Sequence, residues 1–420
     1  MLRDAHWLTV RRAIAWGRVL LAGELILFVF LALWQNGVWA EVKVPVSADF
    51  VSFYAAGKLT LAGTPELAYD RTAHFLAEQR AAAPGGGYQF FFYPPIFLFL
   101  CAALAGLPYL VAYVVFQLVT MAMFVAVMRR VLRAQGWAWI APLLAFPAVF
   151  WNIGVGQNAF LTAALLGGFT LLIDRRPGIA GMLLGMLCYK PHFGLLAPLA
   201  LAAGGRWRAF LSAAITVTAV VAATIATFGW ETWRAYLAAF AGSSDIYQSG
   251  TIDFAGMVSV LGGVRLMGGS GNEAILAQAV MAVLMAGVVV FIWRRGATRS
   301  VRGASLLTAT LLAVPVALLY DELLALVAIG WLVREGRDQG FMPWEKILLF
   351  AVYPLTLLTW SIGTAWHAPL GALANLLILI LCLRRIWRAQ GAARVVSLRA
   401  RTEGKRAPKP RWMPRRLRSA

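Results

Sequence analysis

Four groups of polar side chains stand inside or beside long apolar runs and are able to do chemistry: Asp49, Gln157 with Asn158, Lys190, and Asp321 with Glu322. Asp49 follows the first long apolar run in Pro45-Val46-Ser47-Ala48-Asp49-Phe50-Val51-Ser52-Phe53-Tyr54. A carboxylate there either caps a helix N-terminus, accepting backbone N–H groups at the positive end of the dipole, or serves in binding or catalysis. Phe50, Phe53, Tyr54 and Leu61 fall at helical spacing and predict an amphipathic helix lying in the membrane interface. Lys190 precedes Pro191, and a proline break frees backbone groups beside an ammonium that needs an anion. A phosphate ligand and a lysine snorkelling toward the interface are the two readings. Asp321 and Glu322 repel one another unless one is protonated or a cation sits close; a solvated turn is the alternative. Gln157 and Asn158 suit sugar hydroxyls, or else close a helix pair across a membrane.

The elements that must position these residues are membrane helices. Of 420 residues, 61% are hydrophobic and 13% charged, against about 25% charged in soluble domains. Runs such as Val19 to Val38 and Ala274 to Trp293 approach the roughly 20 residues that cross the hydrocarbon as a helix. They lack the period of two that barrel strands require. The first span ends Leu-Trp-Gln-Asn-Gly-Val-Trp without a small-residue cleavage site, so a retained helix is expected.

The net charge of +20 is concentrated at one end. From Arg384 onward thirteen Lys or Arg face the single acid Glu403. An Arg- and Pro-rich segment after a span reads as a disordered cytoplasmic tail, residues 391–420, attracted to anionic lipid. No folded nucleic-acid module accompanies it, so nucleic acid is not an expected partner. Cys101, Cys188 and Cys382 lie in apolar runs and imply neither disulfides nor zinc. His6, His74, His192 and His367 have no metal-ligand spacing. No phosphate loop, dinucleotide fingerprint or nucleophile elbow occurs, and Gly85-Gly86-Gly87 lacks the Lys and Ser a phosphate loop needs. Neither a metal nor a cofactor is expected.

Basic clusters orient the chain, because Lys and Arg in short loops stay cytoplasmic. With Arg129/Arg130/Arg133, Arg175/Arg176, Arg206/Arg208, Arg294/Arg295/Arg299/Arg302, Arg334/Arg337 and Arg384/Arg385/Arg388 inside, both termini are cytoplasmic. Residues of about 41–90 and 229–272 then form outer loops, and Asn152 to Asn158, Tyr189 to His192 and Tyr320 to Glu322 are polar outer turns. The count is about twelve crossings within one transmembrane domain, residues 1–390. Phe90 to Met128 is the misfit. Its two apolar pieces, split at Leu107-Pro108, must make one net crossing, so either the first is re-entrant or Arg129 to Arg133 lies outside. No internal repeat stands out.

Taken in order, the segment Asp49 to Asp70, then Phe92-Tyr93-Pro94-Pro95-Ile96-Phe97, Gly156-Gln157-Asn158, Lys190-Pro191, and Pro315 with Tyr320-Asp321 resemble glycosyltransferase family 87. The likeness runs from about Val19 to Gly336. It implies an all-α GT-C architecture with a juxtamembrane helix in the first outer loop, in a bacterial inner membrane. It further implies an inverting transfer of a mannose-like hexose or a pentose from a polyprenyl-phosphate donor to a lipid or cell-envelope glycan acceptor, on the outer face and without a metal. By matching position Asp49 is the general base and Lys190 meets the donor phosphate. Tyr54 and Tyr93 bound the lipid and acceptor groove, with Gln157, Asn158, Asp321 and Glu322 as substrate contacts. Family members often have Asp-His where this chain has Asp321-Glu322; a carboxylate repels a phosphate, so either Glu322 contacts sugar hydroxyls or the site differs here. Asp253 is a further acid of the second outer loop. The competing reading is a transporter or flippase of a lipid-linked intermediate, which also needs buried charge and broken helices.

Overall fold

A computed structural model of the chain describes residues 2–36, 48–81, 87–242 and 253–402. Among them all regular structure is helical, apart from an isolated bridge between Met257 and Leu318. Apolar runs in lipid must satisfy every backbone group internally, and helices do this within one segment. The first half comprises α1 (Val10–Asn36), α2 (Ala48–Leu61), α3 (Arg71–Ala81), α4 (Leu98–Ala105), α5 (Tyr109–Leu132), α6 (Ile140–Leu144), α7 (Pro147–Val155) and α8 (Ala159–Leu172). The second comprises α9 (Pro177–Met186), α10 (Ala197–Ala203), α11 (Trp207–Ala241), α12 (Val260–Leu266), α13 (Gly271–Arg294), α14 (Arg299–Ala313), α15 (Leu323–Gln339), α16 (Glu345–Trp366) and α17 (Leu370–Thr402).

The centre is the pair α14 and α15. Every residue from Ser300 to Ala313 is buried, as is every one from Leu323 to Leu332, which is how a helix surrounded by other helices behaves. Around them pack α5, α8, α13 and α17. Five helical segments are long and apolar enough to cross a membrane: α5, α11, α13, α16 and Leu370–Gln390 of α17. Their outward residues, among them Leu118, Ile215, Val283 and Leu357, are exposed as lipid-facing side chains would be. Four shorter apolar segments, Pro95–Ala105, Ala159–Leu172, Pro177–Tyr189 and Pro191–Ala203, are cut short by the polar breaks rather than running on as separate anchors.

The path of Phe90 to Met128 is resolved. The 8 residues of α4 rise about 12 Å, far short of the roughly 30 Å of hydrocarbon. The helix packs on α2 and the chain turns back at Leu107-Pro108. Entry into α5 is next to Asp49's neighbour Phe50, whose ring meets Tyr109 and Tyr113 at 5.4 Å. Arg129, Arg130 and Arg133 therefore lie at the opposite end of α5, gathered with Arg175, Arg176, Arg299 and Arg334. The first apolar piece is thus a short helix that turns back before α5, and these arginines gather at one end of the molecule.

One expectation from sequence is revised. The apolar face of α2 does not lie on lipid: Phe50, Phe53 and Tyr54 are buried in protein and Leu61 alone of the four is exposed. Gly57 explains this, because α2 crosses α4 so closely that a Cβ there would come within 2.1 Å of the Cys101 carbonyl oxygen. Gly57→Ala is expected to destabilise the protein by about 3 kcal/mol, at the upper end of overpacking costs because the obstacle is backbone; detergent melting curves measure it. Helix α17 continues to Thr402, because a helix already nucleated in a packed span extends at the cost of one ordered residue per hydrogen bond. Residues 403–420 lie outside the described residues, as do 37–47, 82–86 with Gly85 and Gly86, and 243–252.

Candidate active site

The three polar breaks and the first turn of α2 converge. Asp49 lies in that first turn, where the helix dipole favours a carboxylate, and its Oδ2 accepts a hydrogen bond from Gln157 Nε2 at 3.1 Å. Gln157 Oε1 in turn accepts from the Tyr93 hydroxyl at 3.1 Å and from the Asn158 backbone N–H at 3.0 Å. One amide thus joins α2 to the strip after Phe90 and to the α7–α8 turn. Its orientation is dictated by its partners: the carboxylate needs a donor and the phenol an acceptor.

The turn carrying Gln157 is itself held from behind. Helix α7 ends at Gly156 with φ +74°, a left-handed position that glycine adopts without strain. Asn152 Nδ2 donates to Gln117 Oε1 at 2.9 Å, Asn152 Oδ1 accepts from the Ala159 N–H at 2.9 Å, and Gln117 Nε2 donates to the Gln157 carbonyl at 3.1 Å. Gln117 was not among the sequence candidates. A buried amide within the apolar span of α5 was the available signal, since such groups require partners at membrane depth.

Lys190 and Asp321 form a buried ion pair, Nζ to Oδ1 at 3.0 Å. Three features hold it. Asp321 Oδ2 accepts the Leu318 N–H at 3.0 Å, the ammonium lies 5.4 Å and 5.3 Å from the Phe193 and Tyr320 ring centres, and Lys190 joins the short 3₁₀ turns Leu187–Tyr189 and Pro191–Gly194 while Asp321 lies in a third, Leu319–Glu322. The cation required near the adjacent acids is therefore Lys190, brought from 131 positions away in the chain.

Asp49, half-buried, also feels the Lys190 ammonium and the Asp321 carboxylate. Burial pushes its carboxyl up to about 6; the Gln157 hydrogen bond and Lys190 draw it back and Asp321 adds to the rise. Desolvation of the charged form is the dominant cause. One wall of the site is aromatic. Tyr93 stacks on Phe97 with ring centres 4.5 Å apart, and Phe97 on Tyr189 at 5.2 Å; the Tyr189 hydroxyl is 2.7 Å from Thr162 Oγ1. Asn158 is fully buried next to the Tyr93 hydroxyl, and neither of its amide atoms has a hydrogen-bond partner at ordinary geometry.

The other candidates lie apart from this cluster. Tyr54 donates its hydroxyl to the Leu107 carbonyl at 2.8 Å, pinning α2 to the return of α4. Glu322 is fully buried and turned toward α17, where Asn375 Nδ2 donates to its Oε1 at 2.6 Å. Asp253 caps the short turn Phe254–Gly256 and accepts from Trp360 Nε1 at 2.6 Å. Among the described residues no group of three His, Cys, Asp or Glu side chains could hold a metal ion.

The arrangement pairs a half-buried carboxylate of raised pKa with a fixed ammonium, beside an aromatic wall. It can take a proton and stabilise an anion within one site. Against known proteins, the glycosyltransferase family 87 model matches residues 91–319, from two residues before Tyr93 into the turn that carries Asp321. No curated protein and no solved structure matches the chain. With more than half of its length matched by that model, the chain belongs to glycosyltransferase family 87 and is a membrane glycosyltransferase.

Proposed function

We propose that the protein moves a mannose-like hexose or a pentose from a polyprenyl-phosphate carrier to a lipid or cell-envelope glycan acceptor. In this reading it does so on the outer face of a bacterial inner membrane, in a GT-C architecture of about twelve crossings with both termini cytoplasmic. The observation that carries the reading is the Asp49–Gln157 hydrogen bond beside the Lys190–Asp321 pair. Asp49 accepts the proton of the acceptor hydroxyl as its oxygen attacks the anomeric carbon. The bond from that carbon to the phosphate oxygen breaks on the opposite face, inverting the centre, and the electron pair leaves on polyprenyl phosphate. Lys190 is the cation for that developing charge, while Asp321 keeps the ammonium in position in the absence of donor. Tyr93, Gln157 and Asn158 offer hydroxyl and amide groups to the sugar beside the aromatic wall.

The test is incubation of purified protein with a panel of polyprenyl-phosphate sugars and an acceptor extract, reading free polyprenyl phosphate. Release with one sugar is the expected result. Movement of the lipid across a bilayer with no polyprenyl phosphate released from any donor overturns this reading in favour of a flippase. A pH series adds a second check. A base works only when deprotonated, so the rate is expected to rise with pH about a midpoint near the pKa of about 6 and to level above it. A rate that falls through that region contradicts a basic role for Asp49.

A further inference from the structure

At the end of the molecule opposite Asp49 lies a cleft of about 1000 Å³, walled by α5, the end of α8, the start of α14 and α15. Its floor is basic beyond what the protein neutralises. Arg133 and Arg334 share Asp338, at 3.1 and 3.8 Å, and Arg299 shares Asp174 with Arg206 and Arg302. Arg129, Arg130, Arg175 and Arg176 also line the cleft, and among the described residues none of the four has a carboxylate within ion-pair distance. Arg334 stands in the repulsive field of Arg133, Arg299 and Arg175. Like charges collected in one concavity are costly unless an anion joins them.

The shape of the cleft says which kind of anion. Above the arginines the wall continues along α5 as Ala122, Val125 and Ala126, one side of the helix by spacing, with Leu171 and Leu172 opposite. The two alanines are exposed and leave a shallow apolar channel running from the charged floor toward the lipid-facing surface of α5, where Leu118 and Val119 are exposed. Trp137 sits at the rim, largely exposed, with the Arg129 guanidinium over its ring, as tryptophans do at a membrane boundary. A phosphate group on an acyl chain fits both halves, whereas a free phosphate compound uses the floor alone.

We infer that this cleft binds an anionic phospholipid of the leaflet opposite the transfer site, with its phosphate among Arg129, Arg130, Arg175 and Arg176 and a chain along Ala122 and Ala126. The site is separate from the proposed donor site, and its ligand is a resident lipid rather than a substrate.

The experiment is native mass spectrometry of the whole protein with dioleoyl phosphatidic acid, phosphatidylcholine or inorganic pyrophosphate as the probe. Phosphatidic acid is expected to be retained well above phosphatidylcholine. Arg175→Gln with Arg176→Gln removes two exposed charges that make no ion pair in the fold, and is expected to weaken that binding about thirtyfold, near fivefold for each charge. Ala126→Phe fills the channel with every arginine in place, and is expected to weaken the lipid but not pyrophosphate. Arg208→Gln with Arg294→Gln changes the charge of the same end outside the cleft and is expected to change neither. Equal retention of the two lipids, or an equal loss in the Arg208/Arg294 variant, overturns the site. Pyrophosphate binding as tight as phosphatidic acid overturns the lipid assignment. Transfer activity is not the readout, so failure here and failure of the proposed transfer reaction are separable.

Discussion

Asp49→Asn is expected to lower sugar transfer by about 10³-fold, within the 10²–10⁴ range for loss of a positioned general base, while leaving the protein folded. The asparagine is close to isosteric, and its Oδ1 can accept the same hydrogen bond from Gln157 Nε2 that Asp49 accepts at 3.1 Å. The link from α2 through Gln157 to Tyr93 is therefore kept and only the basic lone pair is lost. Neutralising a carboxylate whose charged form burial already disfavours is not expected to destabilise the fold. Release of polyprenyl phosphate and the melting temperature in detergent, taken on one preparation, distinguish the outcomes. Full activity in Asp49→Asn sinks the general-base assignment and leaves Asp49 as an element of the helix terminus. Gln157→Leu is the companion: it removes the amide that bonds Asp49 and that faces the sugar in the proposed reading, without touching the carboxylate, and a smaller loss there assigns the chemistry to the carboxylate itself.

The second large effect concerns Lys190. Lys190→Met strands Asp321 as an uncompensated acid in a buried site, an arrangement that costs about 3–5 kcal/mol when one partner of a buried pair is removed. Low activity in that variant would therefore say little about mechanism. Lys190→Met with Asp321→Asn removes both charges and keeps an oxygen for the Leu318 N–H, so stability is expected to return most of the way. Transfer is not: the loss of a cation aimed at the leaving phosphate is expected to leave the rate down by about 10²-fold or more, comparable to removing one oxyanion donor. Thermal melting and polyprenyl-phosphate release across the wild type, both single variants and the double variant give the cycle. A double variant that regains both stability and full turnover assigns the pair a structural role and removes Lys190 from the reaction.

Why the pair was not readable from the chain is a matter of geometry. Lys190 presented itself as a charge beside a proline break, and Asp321-Glu322 as two acids short of a cation, but nothing in either segment points to the other. Their meeting depends on how the turns Leu187–Tyr189 and Leu319–Glu322 both pack on α8. The same holds for the two neighbouring acids. In sequence Asp321 and Glu322 are equivalent; in the fold one faces Lys190 and the other Asn375. The buried face of α2 is a third case, since spacing marks Phe50, Phe53 and Tyr54 as one apolar side and is silent on whether lipid or protein covers it. Gly57 was visible as a glycine, but its consequence required knowing that Cys101 lies opposite.

Composition and local pattern by themselves determined that this is a helical membrane protein, because the solvent a chain requires follows from its side chains whatever their arrangement. They also marked which polar groups have to be explained, since an ionisable or amide group in an apolar run is conspicuous before any packing is known, and the order of those groups was enough to indicate the family. Tertiary structure alone decided that Pro95–Ala105 turns back instead of crossing, that Gln157 joins Asp49 to Tyr93, that Lys190 belongs to Asp321, and that the arginines of four separate segments form one cleft. The physical reason is common to all four: hydrophobicity is a property of each residue and sums along the chain, whereas hydrogen bonds and ion pairs are properties of distances between residues far apart in sequence, and packing sets those distances.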